Sequence, residues 1–127
     1  VEKRSGVTFQ PAKKAVFTTR DDWYGWQQNH EGLWYYTMFV ESGRLRDDED
    51  VQYKKACLEI AESGKAQFRF TSNQNLIIGD IKEEDKAFVD EILTKYGVIA
   101  VTEKASPLRK AALACVALNT CPLALAA

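Results

Sequence analysis

The chain is 127 residues long, with 17 Lys+Arg against 18 Asp+Glu and a formal net charge of −1; 46% of its residues are hydrophobic and 28% are charged. That balance suits one soluble globular domain and excludes a disordered chain, which would be apolar-poor and strongly charged. It also argues against a domain that grips nucleic acid through a basic face, and no stretch approaches the roughly 18 apolar residues of a membrane helix.

Residues 1–22 mix Lys, Arg, Gln and Thr with scattered apolar positions and read as an irregular lead-in. Residues 23–32 are turn-rich and hold the only histidine, His30, in a loop with no nucleophile motif around it, so a surface role is expected. Residues 33–40 are aromatic and β-branched, which predicts a strand buried on both faces. Glu41-Ser42-Gly43 is a tight turn and 44–46 a short return. Asp47, Asp48, Glu49 and Asp50 are expected to open a helix, where the macrodipole favours carboxylates. Tyr53, Cys57, Ile60 and Ala61 recur at helical spacing behind them, and Gly64 supplies the stop.

Residues 67–71 alternate with period two, Phe68 and Phe70 on one face and Arg69 and Thr71 on the other. Ser72-Asn73-Gln74-Asn75 is a polar turn into a short buried strand, Leu76-Ile77-Ile78, ended by Gly79-Asp80. Glu83-Glu84-Asp85 opens a second helix with the apolar stripe Phe88, Val89, Ile92, Leu93 and Tyr96, closed by Gly97. Residues 98–101 read as a further strand, and Ser106-Pro107 begins a last, cysteine-bearing segment. The order predicts an α+β fold, a mixed or antiparallel sheet with helices on one face. The chain opens on Val1 without a signal or transit pattern, and Pro122 with the Leu and Ala behind it reads as a helix just beginning. An internal fragment of a longer protein is therefore expected.

Three cysteines, an odd number, argue against a disulfide framework and for a reducing cytoplasm. Cys57 lies in a helical pattern and reads as a buried apolar thiol. Cys115 and Cys121 stand six apart, and two readings remain: unrelated core cysteines, or two thiolates on one looped segment aimed at a common centre. Soft thiolates suit zinc or an iron–sulfur cluster. On the strand and turn, Arg69 gives a forked cationic donor and Asn73, Gln74 and Asn75 give amides, a set that can grip carboxylate or phosphate. The same residues also read as an Asx-rich turn beside a solvated arginine. The aromatic run from Trp23 to Tyr36 is either a stacking platform or, more in keeping with its density, a core or interface wall.

These stretches resemble the siroheme-containing sulfite and nitrite reductases. The resemblance is carried by Trp34-Tyr35 with Phe39-Val40-Glu41-Ser42-Gly43-Arg44, by Phe68-Arg69-Phe70-Thr71-Ser72-Asn73-Gln74-Asn75-Leu76-Ile77-Ile78, by Ala114-Cys115 through Cys121-Pro122-Leu123-Ala124, and by Gly25-Trp26; it runs over nearly the whole chain. It implies a ferredoxin-like half-domain over 1–104 and the truncated start of a siroheme/[4Fe–4S]-binding domain over 105–127. It implies a parent enzyme, an oxidoreductase that reduces sulfite to sulfide by six electrons, with nitrite to ammonia as the alternative, drawing on a flavoprotein subunit or ferredoxin. Cys115 and Cys121 match the first pair of cluster cysteines, and Arg69, Thr71, Asn73, Gln74 and Asn75 the siroheme pocket, Gln74 foremost. Asn119 and Thr120 would lie near the sulfurs. The isolated chain is expected to hold neither cofactor and to be inactive. Two competing readings are an RNA-recognition sheet using Phe68 and Phe70, and a non-catalytic assembly domain built on the aromatic wall.

Overall fold

The computed structural model describes residues 4, 6, 8, 14, 16, 18–115, 117, 118 and 121–124. Its elements are β1 (Gly25–Gln28), β2 (Trp34–Met38), a 3₁₀ turn (Glu41–Gly43), α1 (Tyr53–Ser63), β3 (Gln67–Phe70), β4 (Leu76–Ile81), α2 (Glu83–Lys95), α3 (Val98–Lys104) and α4 (Pro107–Ala111). Among the described residues the strands form one antiparallel sheet in the order β1-β2-β4-β3. The run β2–α1–β3–β4–α2 is a βαββα unit with its three strands in the order β2-β4-β3, and β1 adds a fourth strand beside β2 from the N-terminal side. This is the expected α+β half-domain.

Register explains the two faces. Trp26, Tyr36, Ile78 and Phe68 stand opposite one another across the four strands. Their row faces the helices and joins Met38, Leu76 and Ile81 in a core closed by Tyr53, Ala56 and Ile60 of α1, Val89, Ile92 and Leu93 of α2 and Val98 of α3. Phe68 packs against that core, but Phe70 lies at the sheet's corner and is 85% exposed, so the shared face does not bury both. Gly25, Thr37, Ile77 and Arg69 form the row on the opposite face. Between Trp34 and Tyr36 the register slips by one, so Gly79 and Asp80 stand opposite Tyr35. Such a bulge re-aims its side chains. Asp80 is left-handed there (φ 58°), and its carboxylate meets Arg69 Nη2 at 2.5 Å.

Four expectations need correction. Residues 25–28 are a strand within the stretch read as turns; Asn29 Oδ1 accepts from the Glu31 and Leu33 amides, both at 2.9 Å, and closes the hairpin to β2. Residues 98–101 are helical: Gly97 is left-handed (φ 74°) and restarts the chain as α3 with Val98 fully buried. α1 begins at Tyr53, because the acidic run lies outside it: Asp47 Oδ1 accepts from Lys54 N in its first turn (2.8 Å), while Asp48 Oδ1 closes the preceding loop by accepting from Val51 N (3.0 Å). Its buried stripe is Tyr53, Ala56 and Ile60, with Cys57 half-buried and Ala61 exposed. The helix expected to begin at Pro122, and the placement of Asn119 and Thr120 near the sulfurs, extend outside the described residues.

Candidate functional site

The polar turn between β3 and β4 is organised by a residue that the sequence reading passed over. The Asp22 carboxylate accepts from Thr71 Oγ1 (2.7 Å), Asn73 Nδ2 (3.1 Å) and Asn75 Nδ2 (2.7 Å). Asn73 Nδ2 also donates to the Arg20 carbonyl at 2.8 Å, and Thr71 Oγ1 accepts from the Asn73 and Asn75 amides. Asn75 is only 2% exposed; its Oδ1 accepts from Val40 N (2.9 Å) and its Nδ2 also reaches the Tyr24 hydroxyl (3.0 Å). Burial, ahead of the nearby Asp22 and Asp21 charges, raises the Tyr24 phenol above its ordinary value, while the Asn75 contact opposes it. Asp21-Asp22, immediately before the aromatic run, was the available signal: a turn with this many amide donors needs an acceptor.

Gln74 is different. It is exposed, left-handed (φ 65°), and makes no side-chain hydrogen bond among the described residues. It packs on Gly43, where a Cβ would come within 3.3 Å of Gln74 Cβ. The E-S-G turn after β2 and the N-Q-N turn before β4 are thus in contact. Arg69 lies on the sheet face away from the helices, across Gly79, and is half exposed. The hydrogen bond to Asp80, then its charge, raises the Arg69 pKa. Of the five residues expected to line a pocket, Thr71, Asn73 and Asn75 hold the turn together, while Gln74 and Arg69 face outward.

The thiols separate in the same way. Cys57 is half-buried on α1, and burial, helped by Asp47, pushes it up to about 11. Cys115 is exposed and Cys121 partly so, both free, on the non-helical segment after α4. The Cys121 amide donates to the Ala117 carbonyl at 2.8 Å. Among the described residues no three His, Cys, Asp or Glu side chains gather as a metal site. His30 is exposed. The aromatic run is mainly a wall: Trp26 meets Trp34 and Tyr36 edge-on at 6.3 and 5.3 Å, Lys86 Nζ lies 3.4 Å above Trp34, and only Trp23 turns out, 64% exposed. No helix of the described residues is long and apolar enough to cross a membrane.

An antiparallel sheet with helices packed on one face and a polar strand end on the other define an α+β half-domain. The family model of the "Nitrite/Sulfite reductase ferredoxin-like half domain" matches residues 26–96, more than half of the chain, and the chain belongs to that family. Its relatives include the "Sulfite reductase [NADPH] hemoprotein beta-component" of Leptospira biflexa serovar Patoc, 52% identical over 126 residues. Proteins of the same name from Blochmanniella pennsylvanica and Neisseria meningitidis serogroup C are each 44% identical. Each match covers 99% of this chain, and the chain spans 21–23% of these relatives' length.

Proposed function

We propose that this chain supplies one half-domain and the first two cluster ligands of a sulfite reductase hemoprotein. In that reading residues 1–104 are the ferredoxin-like half-domain with its lead-in, 105–127 open the cofactor-binding segment, and the whole protein reduces sulfite to sulfide in the cytoplasm. The observation that supports it is the match of 99% of the chain to proteins named for that activity, together with two accessible thiols on one segment.

The donor set fits half of a [4Fe–4S] ligand set, which takes four thiolates. Cys115 and Cys121 are open to it, whereas Cys57, half-buried in the apolar side of α1 and held protonated, is not. A siroheme rimmed with carboxylates needs cationic and amide donors. Gln74 offers an uncommitted amide, and Arg69 can exchange Asp80 for a ligand carboxylate; Thr71, Asn73 and Asn75 fix the turn that presents them. When bound, siroheme and cluster supply the electron storage that a six-electron reduction requires. The relatives' names point to NADPH as the electron source, with a companion component, flavoprotein or ferredoxin, between. The family description covers nitrite as well, so reduction of nitrite to ammonia is the second reading.

The test replaces the matched 126 residues of the Leptospira biflexa relative with this chain. The chimera is expected to show hemoprotein absorption and about four cluster irons per chain. Cys115→Ser or Cys121→Ser should abolish the acid-labile sulfide, and Cys57→Ser should not. A folded, colourless chimera, or a cluster that survives loss of both exposed cysteines, would sink the reading.

A further inference from the structure

The 3₁₀ turn after β2, the loop that leads into α1 and one side of α3 enclose a cavity of about 390 Å³. That is near the lower end of the roughly 300–1,000 Å³ typical of small-ligand pockets. Four cations line it, Arg44, Arg46, Lys104 and Arg109, against the carboxylates of Glu41, Asp48 and Asp50. Two of the cations are engaged. Arg109 grips Glu41 through Nε and Nη2 at 3.1 and 2.7 Å, and Arg46 Nε stands 3.1 Å from Asp48. Arg44 and Lys104 make no ion pair among the described residues.

Arg44 goes further. Its Nε is buried and finds no acceptor among the described residues. A buried donor left without an acceptor bears its full desolvation cost, more so when it belongs to a charged group, and native proteins keep few of them. The apolar part of the wall, Phe39, Val51, Val101 and Ala105, lowers the polarity on that side and so strengthens a charge contact made against it. Among the described residues, a cavity-lining arginine whose buried Nε has no acceptor, a second cation without an ion pair and a partly apolar wall together ask for a negatively charged acceptor.

We propose that this cavity is an oxyanion site, in which Arg44 supplies the forked donor and Lys104 a point charge for a compact phosphate, sulfate or carboxylate group. The inference stands on the cavity alone and does not depend on the reductase reading. The test follows the arginine Nε–Hε cross-peaks of the ¹⁵N-labelled chain by NMR at constant ionic strength, with inorganic phosphate in one arm and acetate in the other. The Arg44 signal, identified by its loss in Arg44→Lys, should move saturably. Saturation by phosphate marks a free tetrahedral oxyanion as the ligand, and saturation by acetate alone marks a carboxylate, as a protein side chain would present. Lys104→Gln, at an exposed helix position, should weaken binding roughly tenfold, the size expected for one charge-assisted hydrogen bond. Lys54→Gln, which removes the same charge elsewhere, should leave it unchanged. Shifts of the Arg44 signal that are linear in both anions, or saturation of that signal undiminished in Lys104→Gln, would overturn the proposal.

Discussion

Asn75 shows how much one side chain can carry. It satisfies the Val40 amide, donates to Asp22 and Tyr24, and does so almost without exposure. Asn75→Ala strands a buried backbone N–H and removes two donors, so a loss of about 2–3 kcal/mol is expected in chemical denaturation. Gln74→Ala, one residue away and exposed, should change stability by less than about 0.5 kcal/mol. The resemblance put Gln74 foremost, but the run of amides itself does not separate the two, because it gives their chemistry and not their direction. What divides them is a partner about 50 residues earlier, Asp22, and that distance is invisible to local pattern.

A second residue-scale consequence concerns Cys57. Burial raises its pKa from the ordinary 9.0 to about 11. The folded state therefore holds this proton more tightly than the unfolded chain. Its contribution is complete below about pH 9 and is lost as pH rises toward about 11. Thermal midpoints should fall across that window, and fall less in Cys57→Ala. At pH 8 a thiol reagent should label Cys115 ahead of Cys57; equal labelling of the native protein would contradict the burial assigned here.

At the scale of elements, the helices with clear periodicity and the strands with clear alternation were legible, and the exceptions have physical causes. Val98, Ile99 and Val101 are β-branched and favour a strand. They are helical because Gly97 turns the chain and Val98 enters the core, and tertiary packing outweighs weak propensity. β1 was obscured because Gln27 and Gln28 carry no alternation; the strand exists by pairing with β2. The Gly97 junction also supports a prediction. Its φ is +74°, and a Cβ there would run into the Asp50 carbonyl. Left-handed strain and overpacking together should make Gly97→Ala cost about 2–4 kcal/mol, read as a lowered denaturation midpoint at unchanged slope. Gly64, equally left-handed (φ 67°) but facing open space, bears only the strain, so Gly64→Ala should cost less, about 1–2 kcal/mol.

At the scale of the whole molecule, cohesion is uneven. One core joins β2, β4, α1, α2 and the start of α3, whereas α4 buries no residue and the chain beyond Pro107 exposes Leu108, Leu113, Leu118 and Leu123. The described links from this segment back toward the sheet include the Arg109–Glu41 pair, the Tyr24 hydroxyl donating to the Lys110 carbonyl at 3.3 Å, and Lys110 Nζ 4.9 Å from the Tyr24 ring centre. Such links are worth little in stability when exposed. Regions with few buried apolar contacts open without global unfolding. Amides of α4 and of residues 112–115 should therefore exchange hydrogen far faster than those of β4. The Arg109 hydrogen bond, ahead of its charge, holds the Glu41 carboxyl below the usual range, so this tie persists above that lowered pKa and is lost as pH falls through it. Glu41→Gln should accordingly speed exchange in α4 at neutral pH while leaving the global midpoint within about 0.5 kcal/mol. Slow exchange throughout α4 in that variant would mean that the cysteine segment is held by something other than its polar ties, and that the thiols are less free to meet a ligand than their exposure implies.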